Sequence, residues 1–308
     1  MGVKSKAALA IGVLLLFLGS LWLHGGLDSH WDACGKGYNQ VNEPPRQRAN
    51  GSGSGGSAGR RHLEECPGQT FQVSLLLSHL LASPAVTSDV LLRPYLSSWD
   101  ELVKFMEALG PMVGLISKEI QSKTSIIREL ALLAEANPEA EVDPDVNPEN
   151  TASPEAGAET LHPSRRSGAY RSVRSMIRAE LRRGSVDFDR QTDSGCRTLL
   201  RLHRALLWLE LFLDKLGEIP AAGLLRSPSE LCREAYRTTL ANHHTWFVRR
   251  AAELAFIAMP ERGFFFRLLC VQNQEELSTV LGRVVRAIGA VCDRTQKALE
   301  ENGMLDLP

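Results

Sequence analysis

From Thr70 to the end of the chain, apolar residues recur at intervals of three and four, and no stretch alternates apolar with polar as a half-buried strand does. The pattern predicts helices at about 70–84, 98–109, 112–136, 169–183, 196–217, 228–241, 245–258 and 274–301, with a shorter one near 261–270. Start signals accompany it. Ser98-x-x-Glu101 reads as a capping box, Ser227-Pro228-Ser229-Glu230 as a stronger one with Pro at the first helical position, and Asp193-Ser194 as the cap of the run beginning at Cys196. The fold class expected is all-α.

Two stretches depart from this periodicity. Lys4 and Lys6 precede an apolar run from Ala7 to Leu23, long for a signal-peptide core and at the lower limit for a spanning helix. Residues 1–24 are therefore expected to be a signal peptide or membrane anchor. With no small-residue cleavage site after the run, the balance tilts towards a retained anchor. The basic flank would stay in the cytosol and the rest of the chain would face the lumen or the exterior. A cytosolic domain is the alternative. The opening Met1-Gly2 misses the myristoylation pattern because Lys stands at position 6. Residues 25–69, rich in Gly, Ser and Arg, read as a flexible linker. Gly51-Ser-Gly-Ser-Gly-Gly56 within it matches a dinucleotide-binding fingerprint in letters only, since no strand precedes it and no helix follows. Asn50-Gly51-Ser52 is a glycosylation sequon if that segment reaches the lumen. The Pro-rich stretch 137–167 reads as a disordered insert within one domain spanning 70–308, because neither side of it holds enough helices for a core of its own.

Charge sharpens the picture locally. The net charge of −1 argues against wholesale nucleic-acid binding. Yet acids crowd the insert (Glu139, Glu141, Asp143, Asp145, Glu149, Glu155, Glu159), and arginines follow it (Arg165, Arg166, Arg171, Arg174, Arg178, Arg182, Arg183). Four of the latter, Arg171, Arg174, Arg178 and Arg182, share one helix face. A solvated face is the first reading; attraction to anionic membrane, or self-inhibition by the insert, are the sharper ones. The six cysteines show no metal-type spacing. Cys196, Cys232, Cys270 and Cys292 fall in helical apolar contexts that suit buried free thiols, while Cys34 and Cys66 are free to pair in an oxidising compartment.

Three places put polar chemistry where helices should be apolar. On helix 112–136, with Ile116 set at 0°, Glu119 falls near about −60° and Lys123 near about −20°, inside a stripe of Met112, Ile120, Ile126, Ile127 and Leu130. A charge in an apolar groove costs several kcal/mol unless paired, so the two point to a site rather than a surface pair. On helix 196–217, Arg197, Arg201, Arg204, Trp208 and Lys215 share one line, with leucines opposite and no acid to relieve the repulsion. That line suits an anion, guanidinium forks binding phosphate oxygens through charge-assisted bonds; a solvated basic face is the equal alternative. His243-His244-Thr245-Trp246 precedes the helix at 245–258. No zinc motif, nucleophile elbow, carboxylate pair or cofactor cradle accompanies these groups, so no enzyme, metal or cofactor is expected.

At these residues the chain resembles the glycolipid transfer protein family, in particular its ceramide-1-phosphate transfer branch. The resemblance covers about 70–308 outside the insert. It rests on Val113-Gly-Leu-Ile-Ser-Lys-Glu119-Ile-Gln-Ser-Lys123, Cys196-Arg197-Thr-Leu-Leu-Arg201-Leu-His-Arg-Ala-Leu-Leu-Trp208, His244-Thr-Trp246-Phe-Val-Arg249-Arg250 and Leu305-Asp-Leu-Pro308. It implies a two-layer helical sandwich of about eight helices, with a headgroup site above an apolar tunnel. Glu119 would stand where the family's acid binds the ceramide amide nitrogen, and His244 where a His receives the amide carbonyl. Lys123, Arg197 and Arg201 would receive the phosphate. The family's acid is usually Asp, so Glu119 carries one methylene more. Arg201 replaces the Trp that stacks on sugar in the glycolipid-binding branch, which favours phosphate.

The expectation is thus a carrier of ceramide-1-phosphate or a close phosphosphingolipid, acting at membrane surfaces. Its rivals are an anchored lipid sensor or tether that does not transfer, and a secreted helical-bundle ligand for a receptor. Trp246 and Phe264-Phe265-Phe266 are read as core packing first and membrane contact second.

Overall fold

The computed structural model describes residues 66–136, 168–220 and 224–308. Among them are nine α-helices: α1 (Val73–Ala82), α2 (Leu92–Ala108), α3 (Pro111–Ala136), α4 (Val173–Arg182), α5 (Gly195–Gly217), α6 (Pro228–Thr239), α7 (Trp246–Ile257), α8 (Arg262–Leu268) and α9 (Gln274–Glu300), with a single 3₁₀ turn at Ala241–His243 before α7. Extended pairing among these residues is limited to two isolated bridges, Pro84 with Val90 and Leu91 with Ser172. No helix of the described residues is long and apolar enough to cross a membrane. The apolar run at 7–23, Cys34, the Asn50 sequon and the acidic insert lie outside the described residues.

The caps show where local signals govern. Ser227 and Glu230 close a reciprocal box at the start of α6, and the Ser194 hydroxyl accepts from Arg197 N–H to open α5. Ser98 does not cap. It sits inside α2, buried, and its hydroxyl returns to the Tyr95 carbonyl. The helix starts six residues earlier, with Pro94 in a first turn whose N–H groups need no intrahelical acceptor.

The expected linker also ends early. Residues 66–69 are built into the fold: Gln72 bonds the backbone of Cys66 from both sides, Gln69 donates to the Arg267 carbonyl, and Cys66 forms a disulfide with Cys270, their Cα atoms 5.9 Å apart. This corrects the reading of Cys270 as a free thiol. The pairing was invisible in sequence because it joins positions 204 residues apart. Cys196, Cys232 and Cys292 are buried and free, as their apolar contexts suggest.

The helices form two layers. α2 lies between α1 and α3; α5 packs on α9, α6 and α4; α3 against α5 and α1 against α9 join the layers. Between them runs one continuous apolar core, from Phe71, Trp99 and Met106 through Leu199, Leu206 and Phe212 to Leu277, Ile288 and Leu299. α5 is its central rod, with Leu199, Leu202, Leu206, Leu209 and Leu213 all essentially inaccessible. Phe265 of α8 is fully buried against Phe105 and Phe212, so the core reading of the 264–266 aromatics holds at its middle residue.

One buried carboxylate ties α4 to the start of α5. Glu180 Oε1 accepts from Gly195 N–H at 2.6 Å and Tyr170 O–H at 2.7 Å, and Oε2 accepts from Cys196 N–H at 2.9 Å. The chain's own acid thus answers the positive end of the helix. Gly195 is required there, since a Cβ would stand 2.7 Å from Glu180 Oε1 and 2.8 Å from Met176 Sδ.

Candidate functional site

The buried face of α3 is not the one its apolar residues suggest. Val113, Ser117, Ile120, Thr124, Ile127 and Ala134 face inward, a seam rotated by roughly 60° from the expected stripe. Ser117 and Thr124 are admitted because their hydroxyls return to the Gly114 and Gln121 carbonyls. Glu119 therefore lies outside the buried face, with 67% of its side chain exposed, and Lys123 lies at its edge, with 16% exposed. They pair at 3.1 Å across one helical turn. The expectation of two charges within an apolar groove is corrected: only Lys123 is largely covered.

The line of cations on α5 divides into groups with different partners. Arg197 is buried; its Nε donates to the Pro308 carbonyl and its Nη1 to the Thr192 carbonyl at 3.2 Å. Arg204 donates to the Leu305 carbonyl at 2.6 Å. Lower down, Lys215 pairs with Glu234 of α6 at 2.8 Å, and Trp208 is buried. Arg201 alone is exposed, with no hydrogen bond or ion pair among the described residues. Burial, with Arg201 close by, holds the Arg197 guanidinium below its ordinary value, and burial does the same to Arg204. Three cations thus follow one helix edge, Arg201 having no hydrogen bond or ion pair among the described residues, a pattern whose chemistry suits an anion.

His244 stands between the 3₁₀ turn and α7. Its Nδ1 lies 2.9 Å from the Tyr236 hydroxyl, and the two rings are 5.6 Å apart. Burial lowers the imidazole from its usual value, with His243 adding to the effect, so the ring is neutral at pH 7. In the tautomer where Tyr236 O–H donates to Nδ1, the proton sits on Nε2, which is then a donor suited to a carbonyl.

Of the five residues selected from sequence, Glu119 and Lys123 form one pair, and Arg197 and Arg201 a second group in electrostatic contact. His244 contacts Tyr236 rather than either group, while its neighbour His243 lies within electrostatic reach of Arg204. Among the described residues no direct bond links the α3 pair to the α5 guanidiniums; the packing of α3 on α5 relates them. Sequence reasoning missed Tyr236 and the segment Leu305–Pro308 as parts of this neighbourhood. Leu305–Pro308 carried a signal, as one of the stretches of the family resemblance; Tyr236 carried none.

Trp246, expected in the core first, is 56% exposed. Phe247, Val248, Leu254 and Ile257 on the same helix are exposed as well, as is Leu115 at the start of α3, which packs against α7. Arg250 lies over the Trp246 ring at 5.5 Å. An apolar patch of this kind beside cations marks an interaction surface.

The glycolipid transfer protein family model matches residues 90–271. The ceramide-1-phosphate transfer protein of Xenopus laevis is 38% identical over 223 residues, covering 71% of this chain and 88% of its own. The crystal structure of human ceramide-1-phosphate transfer protein in complex with 12:0 ceramide-1-phosphate superposes with a TM-score of 0.61 at 34% identity, covering 76% of this chain and 98% of that one. The apo form of the mouse protein gives a TM-score of 0.62 at 34% identity, covering 77% of this chain and 100% of its own.

Proposed function

The chain belongs to the glycolipid transfer protein family, and from that premise we propose that it binds ceramide-1-phosphate, or a close phosphosphingolipid, and carries it between membranes without covalent chemistry. The observation that carries this reading is Arg201, an exposed guanidinium without a partner among the described residues, beside the buried Arg197 on the central helix of an apolar core. In this reading the phosphate takes Arg201, Arg197 and Lys123. Glu119 and the Nε2 of His244 take the two sides of the ceramide amide.

The headgroup cannot supply the driving force alone. A lipid leaving a bilayer gives up roughly 0.8 kcal/mol per buried methylene, or roughly 20 kcal/mol for some twenty-five of them. Among the described residues, comparable apolar surface lies between the layers, where leucine and phenylalanine side chains fill the centre. In this reading the tails enter by separating apolar side chains of that centre. The exposed apolar face of α7 is the surface presented to the bilayer.

The Cys66–Cys270 disulfide supports a lumenal or extracellular site of action, since such bonds persist in oxidising compartments. Peptide mapping of protein from secretory cells under non-reducing conditions is expected to recover the linked peptide, and glycan removal to shift the full chain through Asn50. Reduced cysteines together with an unshifted chain would establish the cytosolic alternative. In the purified protein, reduction is expected to lower stability by about 2–5 kcal/mol, read as the melting temperature with and without reductant.

Mass spectrometry of lipid co-purifying with the full chain tests the function directly. A phosphosphingolipid is expected, with catalytic movement between vesicles in a transfer assay. Stoichiometric binding without turnover would select the sensor or tether, and a neutral glycolipid would refute the phosphate assignment.

A further inference from the structure

The segment that follows α9 has a defined course. Gly303 adopts a left-handed conformation (φ 65°), and Met304 N–H bonds back to the Leu299 carbonyl, closing the helix and reversing the chain. Met304 and Leu307 are then buried as anchors, while Asp306 between them stays exposed. Two carbonyls of this strap, Leu305 and Pro308, hold the guanidiniums of Arg204 and Arg197. The Asp306 carboxylate lies within electrostatic reach of both Arg204 and His243.

Resting on the phosphosphingolipid reading above, we propose that Leu305–Pro308 is a positioning element of the headgroup site: its carbonyls aim Arg197 and Arg204, and Asp306 cancels the charge of Arg204. The charge count makes the consequence concrete. Lys123 is paired with Glu119, and Asp306 and Asp193 act on Arg204 and Arg197 respectively, which leaves Arg201 as the one guanidinium of the group without an acid beside it among the described residues. A phosphate monoester carries about −1.5 to −2 charge at pH 7, so it is held by Arg201 with the partly offset Arg197 beside it. Without Asp306 the site would carry one more positive charge, holding its ligand more tightly and attracting anions less selectively. Asp306 is thus a positioning and charge-setting residue rather than a ligand contact, and it favours release as well as capture.

The test uses the full chain carrying Asp306→Asn, with Asp306→Glu as the conservative control. In vesicles containing ceramide-1-phosphate at low salt, Asp306→Asn is expected to bind roughly two- to fivefold more tightly, the range of one partly exposed ion pair. Its salt dependence should be steeper, and transfer turnover should fall rather than rise; Asp306→Glu should restore all three. A second readout needs no lipid. Asp306 raises the His243 imidazole against the effects of burial and Arg204, so Asp306→Asn should move the His243 titration midpoint, followed by NMR, further down. Wild-type affinity and salt dependence in Asp306→Asn would overturn the proposal, as would an unmoved His243 midpoint. Should the wild type bind no phosphosphingolipid at all, the functional reading fails while the His243 midpoint still reports whether the strap carries its charge where stated.

Discussion

Replacing Arg201 by Leu is expected to weaken binding of ceramide-1-phosphate by about 100-fold and to abolish its transfer, while the melting temperature stays within a degree or two. The two halves of this expectation come from different observations. Bonds to a charged group are worth about 1.5–3 kcal/mol each, and a guanidinium engages phosphate with two, so losing them removes at least about 3 kcal/mol. The fold does not depend on the side chain: it is exposed and has no partner among the described residues, and such surface changes usually stay within about 0.5 kcal/mol. Arg197 is a poorer probe, because its guanidinium also fastens the Pro308 and Thr192 carbonyls, so its removal mixes binding with structure. Isothermal titration with short-chain ceramide-1-phosphate, beside a thermal melt, separates the terms. Undiminished affinity in Arg201→Leu would remove the phosphate site from the place assigned to it.

Glu180→Leu is expected to be the most destabilising single change at the edge of the core. The carboxylate satisfies two backbone N–H groups at the start of α5 and the Tyr170 hydroxyl, and all three would be left buried without acceptors. Removing one partner from such a buried network costs about 3–5 kcal/mol. For a domain of this size that is a fall of about 6–20 °C in melting temperature. Glu180→Gln keeps one acceptor oxygen and should lose less. Since α5 carries Arg197 and Arg201, fraying of its first turn should also lower lipid affinity in Glu180→Leu, whereas Arg201→Leu lowers affinity at constant stability. A melting temperature within a few degrees of wild type would show that Glu180 is dispensable.

Much of the site was legible because its residues are close along the chain. Glu119 and Lys123 are one turn apart, Arg197 and Arg201 one turn apart, and His244 stands beside a helix start. The boundaries of α5 and α6 were legible for the same reason, Ser194, Ser227 and Glu230 acting on backbone groups within three residues. Ser98 shows the limit. Its capping letters are intact, but packing of Tyr95 and Trp99 extends α2 through them, and the hydroxyl bonds inside the helix instead.

Sequence by itself determined the helical class, most helix limits, the cationic line on α5 and the family resemblance, because each rests on spacing within a few turns or on contiguous motifs. Only the tertiary structure decided which cations are spoken for. Lys215 answers Glu234, Arg204 and Arg197 answer a strap that returns from over 100 residues away, and Arg201 is left exposed. It also decided the rotation of α3, the exposure of Trp246 and the union of Cys66 with Cys270. The physical reason is common to all of these: burial and pairing are set by which surfaces meet when layers pack, and chain-distant surfaces leave no periodic trace in the letters.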